Sequence, residues 1–120
     1  MHTCAVIVTY NPDIDKLRKQ VCLLLKQSHI IIVDNSEVGH AKNNVRKLCS
    51  ESHITLLDMG GNAGIAKAQN SGISLIQRIF PNCLYIILLD QDSLPALTLV
   101  SGKIHTDFEL GFNHTIAALG

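Results

Sequence analysis

Two carboxylates one residue apart close an apolar run in Leu84-Tyr85-Ile86-Ile87-Leu88-Leu89-Asp90-Gln91-Asp92-Ser93. Acids that close raise each other's pKa unless a cation or several hydrogen-bond donors keep both ionised. In an extended or turning segment, Asp90 and Asp92 can both face one hard cation. Mg2+ or Mn2+ held by one or two carboxylates, water and substrate phosphates is the usual arrangement in nucleotide chemistry. The same residues also suit a strand-end turn in which Asp90 or Asp92 caps the next segment, with Ser93 and Pro95 favouring it. The motif alone does not separate the two readings.

Two further segments carry polar chemistry. Asp34, at the end of Ile30-Ile31-Ile32-Val33-Asp34, can accept hydrogen bonds from a nucleobase imide or a ribose hydroxyl, or form an Asx turn with Asn35 and Ser36. Gly60-Gly61-Asn62-Ala63-Gly64-Ile65-Ala66-Lys67 leads a glycine-rich turn into a helix N-terminus, where free N–H groups and the helix dipole favour an anion. Lys67 would add positive charge and Asn70 would turn back toward the same place; plain turn chemistry with a solvated lysine accounts for the segment equally. No Gly-Lys-Ser/Thr comes after it, so this is not a Walker loop, and it is not a GxGxxG fingerprint.

Hydrophobic spacing gives the scaffold around these residues. Cys4 to Thr9, Ile30 to Val33, Ile54 to Leu57 and Leu84 to Leu89 read as buried strands. Between them run helical patterns: Ile14, Leu17, Val21, Leu24 and Leu25 behind an Asp13 cap; Ala41, Val45, Leu48 and Cys49; and Ala68, Gly72, Ile76, Ile79 and Phe80, stopped by Pro81. Beyond the fourth strand the spacing allows a helix over Pro95 to Ile104, a loop over Thr106 to His114 and the start of a fifth strand at Ile116 to Leu119. Near-continuous apolar strands alternating with helices predict one α/β domain over residues 1–120: an open, mostly parallel sheet with helices on both faces. Ligands of such sheets bind beyond the carboxyl ends of the strands. Thr9-Tyr10-Asn11, Asp34-Asn35, Gly60-Gly61-Asn62 and Asp90 with Asp92 all fall at such ends.

Composition narrows the partners. The 120 residues carry ten basic and ten acidic side chains, a formal net charge of zero, so there is no broad footprint for nucleic acid or an anionic membrane. Every apolar run is far shorter than the roughly 20 residues of a bilayer-spanning helix. The start, Met1-His2-Thr3-Cys4, has no secretory leader, which makes a cytoplasmic location the expectation. Cys4, Cys22, Cys49 and Cys83 lack CxxC spacing and are expected to be reduced apolar filler; six scattered histidines offer no zinc pair.

In order along the chain, VIVTYNP, IIIVDNS, GGNAGIAKAQNSGI and ILLDQDS resemble the nucleotide-sugar-binding half of family-2 glycosyltransferases of the GT-A fold, rhamnosyltransferase-like members above all. The resemblance runs from about Cys4 to the final IAALG. It implies inverting transfer of a sugar, rhamnose among the candidates, from a nucleoside-diphosphate donor to a saccharide or lipid-linked acceptor, at or near the inner membrane face. By the same resemblance Thr9, Tyr10 and Asn11 line the nucleotide pocket, Asp34 bonds the base, and Asn62, Gly64 and Lys67 shape the nucleoside and phosphate side. Asp90 faces the sugar, ribose or metal shell, and Asp92 ligates Mg2+ or Mn2+. No acid matches the family's general base, Asp107 and Glu109 included, so the chain is expected to bind donor while stopping short of the acceptor-binding segment. A mean hydropathy of +0.23 makes self-association a further expectation. A haloacid-dehalogenase-type phosphohydrolase also places DxD after an apolar strand, although there it closes the first strand. A non-catalytic α/β regulatory domain is the third reading.

Overall fold

A computed structural model describes residues 2–92, together with the backbone of 108–109 and 115–119. Four strands alternate with three helices: β1 Thr3–Thr9, α1 Ile14–Leu24, β2 His29–Asp34, α2 His40–Ser52, β3 Thr55–Asp58, α3 Ile65–Ile79 and β4 Tyr85–Asp90. Two more strands come after them, β5 Phe108–Glu109 and β6 Thr115–Leu119. The sheet order is β3-β2-β1-β4-β6-β5, parallel throughout except for the β5–β6 pair. The fold class expected from the sequence is therefore the one observed. Two details are not: β5 lies inside the segment expected to be loop, and the helix expected over Pro95 to Ile104 lies outside the described residues.

Each helix forms for local reasons. Asp13 caps α1 by accepting from the Asp15 and Lys16 amides at 3.0 and 3.3 Å. Leu17, Val21 and Leu24 then share one face and are fully buried, an effect of roughly 1.5–3 kcal/mol for each side chain. His53 ends α2 in the left-handed region, and α3 stops at Ile79, two residues before Pro81.

Alternation along the strands sorts the core into two layers. Ala5, Ile7, Ile30, Ile32, Ile87 and Leu89 face α1 and α2. Cys4, Val6, Ile31, Val33 and Ile86 face α3. Gly72 lets α3 approach that second face: a Cβ there would meet Val6 Cγ1 at 2.8 Å and Val33 Cγ2 at 2.9 Å, both on stiff β-branched side chains. Cys4, Cys49 and Cys83 are buried filler as expected, whereas Cys22 lies on the solvent side of α1. The ring of His29 stacks on that of Phe80 at 4.2 Å.

The topology fixes where a ligand crevice opens. From β1 the chain winds outward through β2 to β3, crossing on the α1–α2 face, and then returns over the other face through α3 to β4, on the far side of β1. The direction of winding reverses between β1 and β4, which makes their carboxyl ends the switch point of the sheet.

Candidate functional site

A cleft of about 670 Å³ opens at that switch point, lined by Val8, Thr9, Tyr10, Asn35, Asn62, Gly64, Ile65, Asp90, Gln91 and Asp92. Of the residues expected from the sequence, Thr9, Tyr10, Asn62, Gly64, Asp90 and Asp92 are thus brought together. Asn11, Asp34 and Lys67 do not line it.

Asp34 lies under the rim instead of on it. Its side chain is buried, 2% exposed, and Oδ1 accepts from Thr9 Oγ1 at 2.7 Å, Ser36 Oγ at 2.7 Å and the Ser36 amide at 3.3 Å. In this structure Oδ1 of the carboxylate ties the ends of β1 and β2 together. Ser36 Oγ in turn accepts from the Asn11 amide at 2.8 Å, which holds Asn11 in the left-handed conformation at φ 42° that asparagine tolerates. Burial, and next the charge of Asp34, push the nearby Cys49 thiol up to about 11.

Asn35, beside Asp34 in the same strand-end cluster, lines the cleft. Its Oδ1 accepts from the Ala63 amide at 3.4 Å and its Nδ2 donates to the Gly64 carbonyl at 3.3 Å, fastening the glycine-rich turn to the end of β2. Asn62 Oδ1 accepts from the Gly64 amide at 3.0 Å. Gly64 sits at φ 86°, ψ 159°, a conformation that L side chains rarely adopt, and immediately precedes α3. No side chain among the described residues caps that helix, so its first-turn N–H groups stay available to an anion at the cleft. Lys67 is exposed.

The turn's outer side is held by ions. Asp58, the last residue of β3, accepts from the Gly60 amide at 2.8 Å and pairs with Lys42 Nζ at 2.7 Å and Arg46 Nη2 at 3.0 Å. The Lys42 hydrogen bond foremost, then the Gly60 amide and Arg46, hold its carboxyl down to about 2.

Asp90 and Asp92 have no such company: among the described residues none of the ion pairs includes either. Their donor set is two carboxylates, and no group of three or more His, Cys, Asp or Glu among the described residues gathers around a common point. Such a set suits Mg2+ or Mn2+, which take one or two carboxylates and draw other oxygens from substrate phosphates and water; it does not suit structural zinc.

An open α/β sheet with an acid-tipped crevice at its switch point defines a class of ligand-binding folds. Within that class the chain belongs to glycosyl transferase family 2, whose pattern residues 4–101 match. It is 39% identical over 90 residues to the dTDP-rhamnosyl transferase RfbF of Shigella flexneri. The aligned part is 74% of this chain and 29% of that relative, so the chain spans less than a third of the relative's length. In fold it is similar to S. aureus TarS, with a TM-score of 0.58 and 14% identity over 77% of this chain and 17% of that one. Membership of this family takes the place of the phosphohydrolase alternative. Among the described residues no helix is long and apolar enough to cross a membrane.

Proposed function

We propose that this chain binds the nucleoside-diphosphate sugar of a family-2 glycosyltransferase, with a deoxythymidine diphosphate-linked rhamnose the favoured donor, and that the transfer inverts the anomeric centre. The observation that carries the proposal is the union, in one cleft at the β1–β4 switch point, of a half-exposed aromatic ring, an uncapped helix N-terminus and two carboxylates without a cationic partner among the described residues. Those three features match the three parts of the donor. Tyr10, 43% exposed, and Ile65, 60% exposed, offer apolar surface to a base or sugar ring. The N–H groups at the start of α3 suit a diphosphate. Asp90 and Asp92 would hold the Mg2+ or Mn2+ chelated by it.

The bound cation would offset the negative charge of the departing diphosphate. The chain's own residues act around that event. Asn35 and Asn62 keep the turn before α3 in the shape that aims its amides at the cleft. Thr9, fixed by Asp34, sets the floor. The general base that would activate the acceptor hydroxyl, and the saccharide or lipid-linked acceptor itself, we assign to sequence outside these 120 residues, with the protein working at the cytoplasmic face of the membrane and self-association open to test.

Calorimetric titration of the chain with deoxythymidine diphosphate and uridine diphosphate, each with and without Mn2+, tests the reading. We expect saturable binding strengthened at least about tenfold by Mn2+, a difference of roughly 1.4 kcal/mol. No binding of either nucleotide in the presence of Mn2+ overturns it.

A further inference from the structure

The middle residue of the acidic motif, Gln91, makes two contacts that its position alone does not suggest. The Tyr10 amide donates to Gln91 Oε1 at 2.7 Å, and Gln91 Nε2 donates to the Tyr10 carbonyl at 3.3 Å. A parallel ladder turns alternate residues toward opposite neighbours. Thr9 serves β2, its carbonyl accepting from the Asn35 amide at 2.7 Å. Tyr10 therefore presents its N–H and C=O to the β4 side, where Val8 is already in register with Asp90 and the β4 chain has begun to turn. The side-chain amide of Gln91 supplies the peptide group that the turned backbone no longer offers. The ladder is completed while residues 91–92 leave the sheet.

A second amide holds the same segment from beneath. Gln20, fully buried on α1, donates from Nε2 to the Asp90 carbonyl at 2.7 Å, while its Oε1 finds no partner among the described residues. An orphaned buried oxygen costs stability. Apolar residues of similar size would avoid that cost, which makes the Asp90 contact the gain set against it.

Both clamps are uncharged. A lysine or arginine could fasten the segment as firmly, but it would also neutralise the two acids and compete with any cation for them.

We propose that Gln91 is a positioning residue for the acidic pair: by pairing with the Tyr10 backbone it fixes Asp90 and Asp92 toward the cleft and leaves their charge free for a ligand-borne divalent cation. This rests on the donor-binding reading of the cleft.

The test is titration of the chain and of its Gln91→Met and Gln91→Asn variants with deoxythymidine diphosphate, with and without Mn2+, alongside thermal unfolding. Methionine matches glutamine in length and cannot form either bond; asparagine keeps the amide but is too short to span both. The expected result is a loss of most of the Mn2+-dependent gain in both variants, about tenfold in affinity, with metal-free affinity changed less than about threefold and the unfolding midpoint close to that of the parent. Equal Mn2+ gains in parent and variants overturn the inference while leaving the donor-binding reading intact. A parent chain with no Mn2+ gain overturns the inference together with the metal part of that reading. If Gln91→Met does not fold, Gln91→Asn decides alone on the same two outcomes.

Discussion

Asp58 and Asp90 each end a parallel strand at the same edge of the sheet, and the sequence writes them almost identically, as LLD in both cases. Their surroundings differ in kind. Asp58 is held by Lys42, Arg46 and the Gly60 amide. Asp90 has its backbone carbonyl held by Gln20, its neighbour Gln91 bonded to Tyr10, and no cation beside it or Asp92 among the described residues. A strand-end acid compensated within the fold is thus a structural tie, whereas one held by neutral amides keeps its charge for something that arrives from outside. Asp34 is intermediate: three donors satisfy one oxygen, without a lysine or arginine.

The largest expected break in this comparison is Asp92→Asn. It should weaken Mn2+-dependent binding of deoxythymidine diphosphate by about 100-fold, near 2.7 kcal/mol, with little change in the unfolding midpoint. Asp58→Asn should do the reverse, lowering the midpoint while the ratio of affinities with and without Mn2+ holds; a collapse of that ratio would show that the two acids are not different in kind.

Next in size is Lys42→Met. Lys42 is 6% exposed at its side chain and its ammonium lies 2.7 Å from Asp58, so losing it should cost about 1.5–3 kcal/mol by denaturant unfolding, the range for a hydrogen bond to a charged group. A cost below about 0.5 kcal/mol would make the pair no more than a surface contact.

The smallest expected effect is one of pH. Asp58 titrates at about 2 in the fold, against an ordinary value near 3.9 in the unfolded chain. Its ties therefore stabilise fully above about pH 4 and lose that contribution as pH falls toward about 2. Acid unfolding of Asp58→Asn should show a flatter slope through that window than the parent; equal slopes would remove the ion cluster from the account.

The sheet is legible because its strands are long, β-branched and bounded by turn residues, so Cys4 to Thr9 and Leu84 to Leu89 announce themselves without help from the rest of the chain. The two-residue β5 offers no such run; Phe108 and Glu109 are strand only because β6 lies beside them. At the site, Thr9, Tyr10, Asn62, Gly64, Asp90 and Asp92 are readable because a parallel sheet delivers every strand end to one rim. The bonds that Gln91 and Asn35 make are not. Their roles consist of side-chain amides meeting backbone groups 81 and 28 or 29 residues away in sequence, Tyr10 in one case and Ala63 and Gly64 in the other. No local pattern encodes such a meeting. The setting of Asp34 is hidden for a related reason: its Oδ1 is held by Thr9, 25 residues earlier.

The register of the central strand has a consequence for how the molecule comes into being. Cys4 sits opposite His29 on one side and Ile86 on the other. The first pairing closes a short stretch of chain and the second a long one, so loop-closure entropy favours β1 with β2 before β4 joins them. Until that late docking, one flank of β1 is an open edge with bare amides, available to any extended peptide nearby. The crevice, whose two walls belong to the first and the last partners in this succession of events, comes into existence only as that vulnerable edge is sealed.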